Sequence, residues 1–208
     1  MALSTNRFTK MLRYCRNMQF TNRCNGQPQV LPNYNVLLHG ASMVQLFYLL
    51  MAEYREYNKG SCPFDQMERE VMVRAMLFHD GIEQLTGDVL APAKWLAPVE
   101  CDTVEERVHK SIEDDLYSDD LVYTDAIIEE GLDQDEIHVF KFLDMAEYAL
   151  RLLEEAECGN MHERVRTGLA NARRVCKERY NAVDRADIVL FLNPLYRYIM
   201  ENTCSGED

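Results

Sequence analysis

The 208-residue chain carries 35 acidic residues against 22 Lys and Arg, a formal net charge of −13. That balance argues against a grip on a polyphosphate backbone, which is built from clustered Lys and Arg, so nucleic acid is not the expected partner. Seven cysteines, odd in number and without a Cys-x-x-Cys pair, argue against a disulfide framework or a zinc ribbon and fit a reducing cytoplasm.

The length fits one domain over residues 1–208, enough chain to bury roughly 70% of its unfolded surface. Residues 1–7 lack the apolar stretch of a signal peptide, and no run approaches ~20 apolar residues. A cytoplasmic chain with no membrane partner is expected. With 9 Gly and 6 Pro as punctuation, helical periodicity dominates, and the fold class is all-α.

In chain order, Phe8, Met11, Leu12 and Cys15 share one face and predict a first helix over residues 7–19. Residues 21–35, with Asn25-Gly26-Gln27-Pro28 and Leu31-Pro32-Asn33, read as a loop. A second helix over about 36–56 carries His39, with Met43, Leu46, Phe47 and Leu50 on the neighbouring face. After the break at Asn58-Lys59-Gly60, a third helix over 64–78 delivers His79-Asp80 at or near its C-terminal end. Residues 81–95 read as a short helix and loop, and Asp102 or Thr103 caps a fourth helix.

Between residues 111 and 136 lie Glu113, Asp114, Asp115, Asp119, Asp120, Asp125, Glu129, Glu130, Asp133, Asp135 and Glu136, read as a solvated face. Asp133 or Asp135 opens a fifth helix that carries Asp144 and stops at Cys158-Gly159-Asn160. Residues 161–200 form one bent helix or two. His138 and His162 sit among polar neighbours and read as surface.

His79-Asp80 is the feature that names a chemistry. Adjacent side chains on a helix point ~100° apart, so both reach one ion only at a helix end or with the ion between helices. Two further polar residues, His39 and Asp144, lie inside apolar helical runs, where a polar group is costly to bury without a partner. His39, His79, Asp80 and Asp144 together make a mixed nitrogen and oxygen site in a bundle core. Such a set suits a divalent transition ion, Co, Mn, Zn, Fe or Ni, which would lower the pKa of bound water and polarise a phosphoryl oxygen. Locally reversed charge around such an ion makes a small phosphate ester an acceptable substrate despite the acidic chain.

The run from His79-Asp80 through Glu83, Leu85-Thr86-Gly87-Asp88, Pro92, Lys94 and Trp95 resembles the His-Asp-x-x-Glu-x-Leu-Thr-Gly-Asp stretch of the HD-domain phosphohydrolases. More narrowly, the chain is similar to bacterial 5′-deoxynucleotidases and phage dATP triphosphohydrolases. The resemblance implies an HD-domain helical bundle, a homo-oligomer and a small-molecule nucleotide substrate. It implies His39, His79, Asp80 and Asp144 as metal ligands and Glu83 and Asp88 as catalytic acids.

Lys94 and Arg23 are candidate phosphate contacts, and Trp95 reads as core. The deoxynucleotidases have an Arg-Trp pair after the first helix, and ungapped counting from Phe8 puts Gln19-Phe20 there as candidate substrate contacts. Leu38 precedes His39 where those relatives have a glutamate, and the 21–35 loop is several residues longer. Three outcomes stay open: release of a deoxynucleoside from a mono- or triphosphate, hydrolysis of a signalling nucleotide, or an idle scaffold that keeps the fold.

Overall fold

The computed structural model describes residues 18–21, 23, 30–31, 34–80 and 131–202. These described residues form a short 3-10 turn at Met18–Phe20 and five α-helices, with no strand among them. The helices are α1 (Val36–Tyr57), α2 (Gln66–Phe78), α3 (Gln134–Glu157), α4 (Glu163–Asn181) and α5 (Ala186–Glu201). The all-α expectation holds. The expected first helix, apart from its end, and the fourth lie outside the described residues.

Side-chain caps set the helix starts. Asn35 accepts the Leu38 N–H at 2.9 Å and opens α1. Asp65 and Glu68 form a capping box, which moves the start of α2 two residues past the expected position and frees Phe64 to enter the core. Asp133 and Glu136 form the equivalent box on α3. Asp135 accepts the N–H groups of Asp184 and Arg185 at 2.9 and 3.0 Å, tying the α4–α5 turn to the start of α3. The end of the acidic run is thus a set of caps and ties, with Glu136 buried, which corrects the expectation of a plain solvated face there.

Residues 161–200 resolve as two helices separated at 182–185. His162 is exposed, as expected, and caps α4 by accepting the Arg164 N–H at 3.1 Å. His138 departs from expectation: it is half-buried, because its turn of α3 lies beside the buried Val139 and Phe140.

The core runs between α1, α2, α3 and α5, with α4 laid along α3. Phe47, Phe64 and Phe191 meet mutually at ring separations of 5.6, 5.7 and 5.2 Å, joining α1, the α2 entrance and α5. Val165, Leu169, Ala172 and Cys176, at helical spacing, form the buried face of α4. Burial among these groups pushes the Cys176 thiol up to about 12, so it serves as apolar filler.

α1 is long and apolar enough to cross a membrane, although the sequence is expected to hold no run near that limit. Its buried His39, Met43, Phe47, Leu50 and Met51 face the other helices, which is the behaviour of a core helix.

One contact fixes how closely α1 and α2 approach. A Cβ built on Gly40 would lie 2.7 Å from the Met76 carbonyl oxygen and 3.2 Å from the Leu77 Cα. Only glycine permits that spacing. The neighbour of Gly40 is His39, and three residues beyond Met76 is His79, so the close approach delivers both imidazoles to one place.

Candidate metal centre

His39 lies in the first turn of α1 and is fully buried. His79 caps the C-terminal end of α2, its N–H donating to Ala75 at 2.9 Å, and Asp80 follows it. Asp144 comes from the middle of α3. Three helices therefore supply the four residues that the sequence singles out, and they converge. His39 Nε2 is 3.3 Å from His79 Nε2 and 3.0 Å from Asp144 Oδ1. Asp80 Oδ2 is 3.1 Å from His79 Nε2 and 3.6 Å from His39 Nε2. The ligand atoms of His39, His79 and Asp144 all lie within 4.8 Å of one another.

The contacts of the outer ring nitrogens indicate what this cluster is built to hold. His39 Nδ1 is 2.6 Å from Glu147 Oε2, so it carries the proton that the carboxylate accepts. His79 Nδ1 donates to the Met76 carbonyl at 3.1 Å. In neutral imidazoles with these tautomers, both Nε2 atoms present lone pairs, and they point at each other beside two carboxylate oxygens. Four electron-pair donors facing inward are stable only around positive charge. The donor set of two imidazoles and two carboxylates fits a borderline divalent ion.

The protein partly supplies that charge with protons. Burial lowers the proton affinity of His39, and the Arg23 charge lowers it further, but hydrogen bonds to Asp144 and Glu147 outweigh both and leave its pKa raised. Burial dominates at His79 and lowers it, the Asp144 bond notwithstanding. Burial would raise the Asp144 carboxyl, yet its bonds to His39 and His79 hold it well below the usual carboxylate range.

Arg23 forms an ion pair with Asp80, which places a guanidinium at the edge of the cluster. Its backbone N–H donates to the Tyr34 carbonyl at 2.9 Å. Gln19 and Phe20 behave differently. Both are exposed, Phe20 by 74%, and among the described residues neither has a hydrogen bond or ring contact to the cluster. The backbone bonds of Arg23 to Tyr34 and of Val36 to Thr21 hold Arg23 inward at the cluster. Glu83, Asp88, Lys94 and Trp95 lie outside the described residues.

Two residues at the site escape the sequence reading. Glu147, 7% exposed, holds His39 Nδ1, and the Tyr34 hydroxyl bonds to Glu147 and lies 2.9 Å from the same nitrogen. A carboxylate behind a ligating histidine fixes its tautomer and raises its basicity. Glu147 does carry a signal in the sequence: it is an acid in an apolar helical run, three residues from Asp144 and so on the same face. Tyr34 gives no such signal, because it sits in a loop.

Among curated proteins, no sequence matches this chain. The family model of the YfbR-like 5′-deoxynucleotidases matches residues 10–197, nearly the whole length. That family is one of HD-domain, metal-dependent phosphohydrolases, and its match covers every residue of the cluster. The chain belongs to the YfbR-like 5′-deoxynucleotidase family.

Proposed function

We propose that this protein hydrolyses 2′-deoxynucleoside 5′-monophosphates to the deoxynucleoside and inorganic phosphate. The single observation that carries the reading is the convergence of two imidazoles and two carboxylates beside an arginine, a donor set that calls for a cation. The family description favours a monophosphate over a triphosphate.

His39, His79, Asp80 and Asp144 would hold a divalent transition ion. Such an ion supplies Lewis acidity and lowers the pKa of water at neutral pH. Asp144, whose carboxyl is held well below the usual range, and His79, whose imidazole is lowered by burial, arrive ready to bind, so His39, whose pKa is raised, is the ligand that has to give up a proton.

In the reaction, a water oxygen bonds to phosphorus and the bond from phosphorus to the 5′ oxygen breaks. Glu83 takes one proton from the water and returns it to the departing 5′ oxygen, so that the deoxynucleoside leaves as its alcohol. Arg23 turns from Asp80 toward the phosphate oxygens, for which its planar fork is suited. Asp88 contacts the sugar and Lys94 the phosphate; these two roles and that of Glu83 rest on their places in the motif. Gln19 and Phe20, exposed beside Arg23, line the approach to the base.

The test is incubation with Mn or Co and a panel of deoxy- and ribonucleoside mono- and triphosphates, with chromatography of the products. Deoxynucleoside and free phosphate, formed only with added metal and preferentially from deoxynucleotides, are expected. Release of intact triphosphate would replace the monophosphate reading, and no turnover of any nucleotide would end it.

A further inference from the structure

Asp144, Glu147, Arg151 and Glu155 follow one another at spacings of three, four and four along α3, which puts them on one face. Asp144 faces the imidazoles. Glu147 holds His39 Nδ1 and the Tyr34 hydroxyl. The Arg151 guanidinium lies 5.3 Å from the Tyr34 ring centre and 3.4 Å from Glu155. Glu155, only 2% exposed, accepts the Val30 N–H at 2.7 Å, the Leu31 N–H at 3.0 Å and the Asn160 amide at 2.8 Å. The chain before α1 is therefore fastened to α3 at two points, by Glu155 at Val30 and Leu31 and by Glu147 at Tyr34. The backbone of Tyr34 in turn holds Arg23.

A carboxylate is buried at a helix flank only when its partners offset the lost hydration. Glu155 uses its bonding capacity on two backbone amides more than 120 residues away in sequence, which is more than capping its own helix requires. We propose that Glu147, Arg151 and Glu155 form a positioning stripe. It holds Tyr34, and through Tyr34 it sets both the orientation of the His39 ring and the placement of Arg23. Glu155, two helical turns or about 12 Å along the axis from Glu147, touches neither ion nor substrate and yet governs metal affinity. This inference rests on the metal-site reading above.

The test is a calorimetric titration of the whole protein with Mn or Co, on wild type and the variants Glu147→Ala, Tyr34→Phe, Glu155→Gln, Glu155→Ala and the Glu147→Ala/Glu155→Ala double. Circular dichroism melting of the metal-free proteins accompanies it. Glu147→Ala should weaken metal binding ~10–100-fold, the usual effect of losing the group behind a ligating histidine, and Glu155→Ala about tenfold. Glu155→Gln should fall between wild type and alanine, since its amide oxygen still accepts one backbone N–H but offers Arg151 no charge. The double variant should lose less than the product of the two single losses, as members of one network do. KM for the nucleotide should rise in Glu155→Ala with the displacement of Arg23.

A lowered melting temperature in Glu155→Ala with wild-type metal affinity and KM would overturn the proposal and leave Glu155 a purely structural residue. Should the alanine variants not fold, Glu155→Gln and Tyr34→Phe decide it by the same readout. Wild-type protein that binds no divalent ion would remove the metal-site reading, and this inference with it; wild-type binding left unchanged in all variants removes the inference alone.

Discussion

His39 and His79 face one another 3.3 Å apart, yet the protein holds them in opposite ways. His39 lies inside a helix, fully buried, with a carboxylate behind its ring, and its proton affinity is raised. His79 sits where a helix ends, with a neutral carbonyl behind its ring, and its proton affinity is lowered. Burial pushes both the same way. Asp144 raises both, but His39 alone has Glu147 as a second carboxylate and its charge lowers His79 further, which makes His39 the ligand that protons contest and His79 the one that stays free.

The largest effect that would break this comparison is loss of the free ligand. His79→Ala or Asp80→Ala should abolish metal binding and turnover together, measured by metal content after dialysis and by phosphate release. The next is Glu83→Gln, which should keep fold and metal content while lowering kcat by ~10² or more, the common size of a general-base contribution. Metal loss in that variant would make Glu83 a ligand.

A smaller and more graded effect sharpens the contrast between the histidines. Divalent binding needs neutral imidazole, so metal affinity should fall as pH drops through the raised pKa of His39, beginning above the ordinary value of 6.5. His79 stays neutral and Asp144 stays ionised over that interval, so the fall should follow one proton. Titrations at a series of pH values check this, and Glu147→Gln, which removes the charge behind His39, should shift the midpoint to lower pH.

The smallest effect concerns the spacing that brings the rings together. Gly40→Ala sets a methyl 2.7 Å from the Met76 carbonyl oxygen, so α1 and α2 must part. We expect ~1–3 kcal/mol of lost stability, the range for overpacking a close contact, with weaker metal binding because the imidazoles separate. A melting curve indistinguishable from wild type would show that the helices can slide without cost.

The same contrast explains what the sequence reveals. The helices α1 and α3, the ligand-bearing end of α2 and all four convergent residues are legible, because a histidine or aspartate inside an apolar run has to be explained by a partner. Tyr34 is not legible, and Arg23, which the sequence offers only as a phosphate contact, shows nothing there of its pairing with Asp80, since both positions depend on the backbone bonds of Arg23 to Tyr34 and of Val36 to Thr21 and on the distant Glu155. Likewise the division of residues 161–200 at 182–185 is stabilised by Asp135 from another helix, a tertiary contact that local periodicity does not carry.

The most direct test of the metal centre is a Co titration followed by absorption spectroscopy at neutral pH, on wild type and on His39→Ala. The account predicts one ion per chain in wild type, with the visible bands of a nitrogen- and oxygen-ligated site, and their loss in the variant. A wild-type protein without such bands, or a variant that keeps them at the same stoichiometry, would contradict it.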